Sequence, residues 1–465
     1  MASMFWKART ALLACWLISS LSFGLCEDSN DTIFRDIAII GGGASGTYSA
    51  IKLRDQGKSV ILIEKEDVLG GHTNTYRDPH TNTSVDYGVL VFHDQKVVKD
   101  YFKRLNVSWV ITRPEFGAST PNYLDPKTAK SIKFTSSDPT SALVAYATEL
   151  SKYPKLEEGF FLPDPVPEDL LLPLGKFIEK YPDIGNATYL AFNYGQGLGD
   201  YLKQPALYVF KNFGLDIIRD IASGFLIPAS GNNYEIYARA TKILGSDVLL
   251  KSVVVDTPRR DENGVQLIIR TPNGNRKVNA NKLLITIPPK LENLDKFALD
   301  RHETELFGKF MNTGYYTCLV NNTGLPQNFT SYSVSPDTQL NIPNLPGVYN
   351  IVPTAIEGVF DVKYGSPSTL PDSYVKSEIA SYIKQLQAGG LAERVPGKPN
   401  FVAFKSHAPF ELTVSTDHIV NGFYKELYNL QGYRNTWYTG AAFHTQDSAM
   451  LWNFTRSYVL PRLLD

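Results

Sequence analysis

Apolar residues near the start of the chain gather into short unbroken runs separated by glycine turns and helical spacing. Asp36-Ile37-Ala38-Ile39-Ile40 is β-prone and stops at Gly41-Gly42-Gly43-Ala44-Ser45-Gly46. Thr47 to Leu53 then carries apolar residues at helical spacing toward Gly57, and Ser59-Val60-Ile61-Leu62-Ile63 forms a second run closed by Glu64. Runs without polar alternation suit strands buried on both faces of a parallel sheet, so this stretch reads as strand, turn, helix, strand. Later, Leu249 to Val255 and Gln266 to Arg270 read as strands around the turn Asp261-Glu262-Asn263-Gly264, and Lys282 to Ile287 as another. Trp437 to Ala442 predicts a strand running into a turn, and Asp447 to Leu464 a helix. From 96 to 227, helical signals are broken by Pro154, Pro163, Pro165, Pro167 and Pro173. From 301 to 417, Gly314–Val320 and Phe401–Phe404 read as strands.

Composition narrows the class. The chain has 465 residues, 43% hydrophobic and 20% charged, which is globular and excludes disordered or fibrous architectures. Lys+Arg 46 against Asp+Glu 47 leaves no basic surplus for nucleic acid, and three cysteines rule out a disulfide scaffold. Residues 1–26 follow another logic. Lys7 and Arg9 precede the apolar run Ala11–Ile18, and the small residues Ser22 and Gly24 follow, the layout of a secretory signal peptide. No later run is long enough to span a bilayer, so no stable membrane insertion is expected. Sequons at Asn30, Asn82, Asn106, Asn186, Asn321, Asn328 and Asn453 agree with a glycosylated protein that is secreted or lumenal.

The strongest chemistry lies in Gly41-x-Gly43-x-x-Gly46. Gly41 makes the tight turn, Gly43 lets a pyrophosphate approach the backbone, and Gly46 packs helix on strand. The helix start, with Ala44 and Ser45, offers N–H groups and partial positive charge to phosphate. Glu64, about 20 residues on, is placed to accept hydrogen bonds from ribose hydroxyls, which disfavours a 2′-phosphate and hence NADP. The fold class is α/β, with a dinucleotide-binding lobe of Rossmann type.

Beyond Glu64 and Lys65, the pair Gly70-Gly71 followed by His72 resembles the flavin-containing amine oxidase superfamily, where such a pair wraps the pyrophosphate of FAD. Further resemblance lies in Val85-Asp86-Tyr87-Gly88-Val89, in Val248–Ile287 and in the C-terminal strand and helix. The stretches IIGGGASGTYSAI, GGHTNTY and TGAAFHTQDSAMLWNF are more closely similar to the fungal beta-cyclopiazonate dehydrogenase family, FAD proteins associated with oxidative tailoring of secondary metabolites. The resemblance implies a discontinuous FAD lobe over 33–95, 228–300 and 418–465, and a mixed α+β substrate lobe over 96–227 and 301–417. It implies that Val253 or Val254 meets the adenine and that Gly440 and Ser448 lie by the flavin. The family often has an acid just past the C-terminal strand; Ala441 and Ala442 stand there in this chain.

The expected activity is oxidation of a small organic molecule by hydride transfer to flavin, with O2 or another electron acceptor. A thioether oxidase resembling prenylcysteine oxidase and a non-catalytic binding protein are the alternatives. FAD is expected to be non-covalent, since the last 140 residues hold no cysteine. His444 and Tyr438 are the candidate catalytic residues, and His444 reads more readily as a hydrogen-bonded supporting residue. Phe225, Tyr315 and Trp452 are candidate walls of an apolar pocket. No metal-ligand spacing is present.

Overall fold

The computed structural model describes residues 32–113, 121–135 and 137–465. The leader and Asn30 lie outside the described residues.

Ile37–Ile40 and Val60–Ile63 are buried almost throughout and pair in parallel, as their lack of alternation predicts. They belong to a seven-stranded sheet. From the edge inward, Val248–Leu249, Val60–Ile63, Thr32–Ile40 and Gly274–Ile285 run parallel. Gly264–Thr271 and Val253–Asp261 then add an antiparallel meander. The long strand Gly274–Ile285 changes partners along one side. The meander pairs with it as far as Ala280, and Thr436–Tyr438 takes over in parallel at Leu283–Ile285. That hand-over brings the end of the chain to the carboxyl ends of the central strands, where ligands bind in such sheets.

One expected strand is two. Leu249–Val255 breaks at Lys251, whose φ is 49°. The Lys251 amide donates to the Glu66 carbonyl and the Ser252 amide to the Glu64 carbonyl, so Val248–Leu249 stays on the parallel edge while Val253 begins the meander.

The helix Ala44–Asp55 crosses behind the first strand, and its approach depends on Gly46. A Cβ there would sit 1.9 Å from the Gly41 carbonyl oxygen. The C-terminal helix begins at Ser448, widens into a π turn over Thr455–Val459 and resumes over Leu460–Leu464. Pro461, which has no N–H to donate, lies two residues past the widened turn. Trp452, expected as a pocket wall, is instead core. It is fully buried, stacked on Tyr48 and Phe92 and edge-on to Tyr101, and its indole N–H donates to the Ala44 carbonyl. Helix Lys96–Arg104 supplies Tyr101 and Phe102 to this cluster, so the packing of the FAD lobe runs past residue 95.

The other lobe is built on a six-stranded sheet, in the order Asn400–Ser406, Gly314–Asn321, Phe360–Ser366, Gly347–Pro353, Ser331–Ser333 and Asn122–Leu124. Helix Asp372–Ala388 packs on it through Val375, Ile379, Ile383 and Leu386. Short helices from Thr140 to Ser223 fill the first insertion.

A buried ion pair ties the C-terminal strand to the sheet. Arg260 and Glu303 have fully buried side chains, and Arg260 Nη1 lies 2.7 Å from Glu303 Oε1. The Tyr438 hydroxyl donates to the same oxygen at 2.8 Å, and Arg434 reaches Glu303 Oε2 at 3.0 Å. Removing Arg260 leaves the buried Glu303 carboxylate with only the partly exposed Arg434 for a counter-charge. Arg260→Met is therefore expected to cost about 3–5 kcal/mol, and Arg260→Met with Glu303→Leu clearly less. Denaturant unfolding of the two variants checks the order.

Candidate cofactor and active site

A cavity of about 530 Å³ opens at the carboxyl ends of the parallel strands and runs between the two lobes. One end is formed by the glycine turn with Ala44 and Ser45, by Glu64 and Lys65, by Gly70 and Gly71, and by Val253 and Val254, and His72 leads from it to the other end. The other end holds Lys405–Phe410 from the substrate lobe, with Thr439–Ala442 and Gln446–Ser448. The expected cofactor residues thus converge here, except Gly46, whose place is in the packing beneath.

Glu64 is 7% exposed and locked by two backbone donors. The Gly42 amide donates to Oε2 at 2.6 Å and the Glu66 amide to Oε1 at 2.8 Å. Both oxygens keep lone pairs for a ligand, and the carboxylate is already oriented. Gly43 and Gly71 face each other so closely that a Cβ on Gly71 would lie 2.9 Å from the Gly43 Cα. The helix beginning at Ala44 has no side-chain cap and no acid in its first turn, leaving its positive end to the cavity. Ser45 Oγ is buried beside it with no hydrogen-bond partner among the described residues.

The far end has an aromatic wall, with Lys405 and Asp447 as its charged side chains. His72 stacks on His407 with ring centroids 4.2 Å apart, and Phe410 lies 5.5 Å from His72. Tyr315 packs against Phe410 from behind and does not line the cavity. His407 Nε2 lies 2.8 Å from the Asn74 carboxamide oxygen, which makes that nitrogen the donor. Burial, helped by Lys65, pushes the His72 imidazole down to about 4. Burial and the neighbouring His72, Lys363 and Lys405 push His407 well below its usual range. Both rings are neutral at physiological pH.

Neither candidate catalytic residue reaches the cavity. His444 is 1% exposed, with Nε2 3.0 Å from the Glu157 carbonyl and Nδ1 3.2 Å from Lys211 Nζ. The short turn Ala441–Phe443 swings it behind the wall, where burial and Lys211 hold its pKa well down. Tyr438 points to the opposite side of its strand, into the Arg260–Glu303 network. Phe225 is likewise buried outside the cavity, beside His93. Sequence reading missed His407 and Phe410; a histidine before Ala408-Pro409 at a strand end carries no motif. It also left the acid past the C-terminal strand unplaced. No acid stands at Ala441 or Ala442, and the carboxylate that lines this end is Asp447.

Comparison with known proteins agrees with this geometry. Residues 39–105 match the NAD(P)-binding Rossmann-like domain family. The chain is 40% identical to the FAD-dependent oxidoreductase oblC of Cochliobolus heterostrophus, across 94% of this chain and 92% of that protein. It is 35% identical to the beta-cyclopiazonate dehydrogenase of Aspergillus oryzae, across 92% and 93%. A double mutant of putrescine oxidase shares the fold, with a TM-score of 0.65 at 16% identity, covering 93% of this chain and all of the other. The chain belongs to the family of FAD-dependent oxidoreductases that includes beta-cyclopiazonate dehydrogenase, on an amine-oxidase-type fold. Its cofactor is FAD, and the residues present fit it: the unpartnered Ser45 hydroxyl and the Gly43–Gly71 cradle suit the diphosphate, and Glu64 the ribose.

Glu64→Ala removes the oriented carboxylate. Loss of its charged hydrogen bonds is expected to cost about 1.5–3 kcal/mol of FAD binding, a ten-fold or greater fall in retention. The flavin-to-protein absorbance ratio after gel filtration measures it; unchanged retention would place the ribose elsewhere.

Proposed function

We propose that this protein oxidises a small, uncharged organic molecule, a secondary metabolite, in the secretory pathway, by hydride transfer to FAD with O2 or another acceptor closing the cycle. The observation that carries the reading is the single cavity continuous from Glu64, at the cofactor-anchoring end, to the His72–His407–Phe410 wall. FAD supplies the two-electron acceptor; the chain supplies placement. Glu64, Ser45 and the glycine turns hold the adenosine and diphosphate. Gln446 donates to the Phe410 carbonyl at 2.6 Å and pins the wall segment against the C-terminal turn. His72 and His407, neutral and stacked, offer a flat face on which an uncharged conjugated molecule can lie without a charge to desolvate. Lys405, bonded to Glu66 at 3.0 Å, ties the substrate-lobe strand to the loop that follows Glu64.

The secretory placement is supported by the leader-like residues 1–26 and by sequons whose asparagines are exposed, at Asn82, Asn106, Asn186 and Asn328. Among the described residues, no helix is long and apolar enough to cross a membrane. Asn453 is a poor acceptor in the folded chain. Its Nδ2 donates to Gln95 at 3.1 Å, and the Thr455 of its sequon is fully buried. Glycopeptide mapping of protein from a eukaryotic host is expected to find glycans among the exposed sequons and none at Asn453.

Among the described residues no cysteine lines the cavity, and Cys318 is buried in the other sheet. FAD is therefore expected to leave with acid. The purified protein should be yellow, and its flavin should appear in the supernatant after acid precipitation. Flavin held in the pellet would overturn the non-covalent assignment, and a colourless protein that takes up no FAD would overturn the reading as a whole.

A further inference from the structure

The cofactor cavity is lined by several carboxylates, and three of them are paired with cations. Glu66 pairs with Lys405 at 3.0 Å and Asp295 with Lys296 at 2.8 Å. Asp447 differs: its partner is a histidine. His93 Nε2 lies 3.4 Å from Asp447 Oδ2, and its Nδ1 lies 2.7 Å from Asp220 Oδ2. His93 is 3% exposed and the Asp220 side chain is fully buried. An imidazole between two carboxylates satisfies both only when both of its nitrogens carry protons.

Asp447 has two tasks at once. Its carboxylate caps helix Ser448–Phe454, accepting from the Met450 amide at 2.8 Å, and it lines the cavity. On its other side it borders a water-sized hollow of about 20 Å³ shared with His93, Lys211, Glu157 and Asp216. A lone carboxylate there would repel a cofactor that carries a diphosphate, and its helix start is bound to the phosphate-facing helix through Trp452 and the Ala44 carbonyl.

We propose that His93 is a positioning residue of the cofactor site: as an imidazolium clamped between Asp220 and Asp447, it cancels the charge that Asp447 turns toward FAD and fixes the start of helix Ser448–Phe454. The proposal rests on FAD being the occupant of the cavity. Around His93, Asp216, Arg219 and Asp220 face it from helix Leu215–Ser223, Asp447 from the C-terminal segment, and Lys211 and Glu157 across the hollow. Burial disfavours its charge, but Asp447, Asp220 and Asp216 outweigh burial and raise its pKa above the usual histidine value. The clamp is therefore complete below the usual histidine range and is lost as pH rises through that raised pKa.

The test is the dissociation constant of FAD, read from free-flavin fluorescence on dilution of the holoprotein between pH 6 and 9. Wild type is expected to hold FAD about ten-fold more weakly at the alkaline end. His93→Gln, which keeps the shape and cannot be charged, should bind at the weak level throughout with no pH dependence. Asp447→Asn removes the charge that needs cancelling, so it should show little pH dependence, and adding His93→Gln to it should weaken FAD far less than His93→Gln does alone. A flat wild-type profile, or equal losses from His93→Gln in the two backgrounds, would overturn the proposal. Should His93→Gln fail to fold, the comparison of wild type with Asp447→Asn decides it. Wild type that binds no FAD at any pH would instead overturn the assignment of the cavity.

Discussion

Everything at the cofactor end depends on backbone meeting backbone without side chains between. Gly46 lets the first helix lie on the Gly41 carbonyl, and Gly43 meets Gly71 across the diphosphate cradle. These approaches are enforced by one carboxylate. Glu64 takes the Gly42 amide on one oxygen and the Glu66 amide on the other, so the glycine turn and the loop after the second strand are held by the same side chain that faces the ribose. Folding and cofactor recognition are thus the same contact at Glu64. A residue with this double duty is oriented before the ligand arrives, which limits the entropy that binding must overcome.

That end of the site was legible from sequence because it is local. The buried strands announce themselves by unbroken apolar runs, and the turn needs glycine at fixed offsets whatever the rest of the chain does. The far end was not legible, because His407 and Phe410 come from the end of a strand in the other lobe and meet His72 only through the tertiary fold. His444 shows how adjacency misleads. It lies between Ala442 and Gln446, both in the cavity wall, yet the short turn Ala441–Phe443 swings it behind the wall toward Glu157 and Lys211. Tyr438 was misplaced for a simpler reason: successive strand residues face opposite ways, and its neighbour Thr439 took the cavity side. The strand break at Lys251 left no composition signal either, since Leu249 and Leu250 precede it and the strand-prone Val253–Val255 follow.

The C-terminal segment joins the two ends. The Arg260–Glu303 pair anchors Thr436–Tyr438 against the last turns of Gly274–Ile285, and the chain then passes along the cavity from Thr439 to Ser448. Behind it, Trp452 packs the final helix onto the first, the one whose start faces the diphosphate. Buried ion pairs seldom add net stability over apolar replacements. Here the pair sets where a cavity-lining strand ends, a requirement of position rather than of stability.

The distribution of charge follows from what the cavity must hold. A diphosphate is tolerated where helix dipole and backbone amides are free, so no cation needs to be spent beside it and Ser45 suffices as a side-chain donor. Carboxylates are needed for ribose recognition and for capping the last helix, and each of these would repel the same diphosphate if left bare. Glu64 is tempered by backbone amides, and Asp447 by the Met450 amide and by His93. At the ring end the opposite rule applies. His72 and His407 are buried too deeply, and lie too near one another and Lys65 or Lys363, to hold a proton. A site that keeps its histidines neutral where the substrate lies, and its one histidine between acids charged where the cofactor is held, separates recognition of an uncharged molecule from retention of an anionic one within a single cavity.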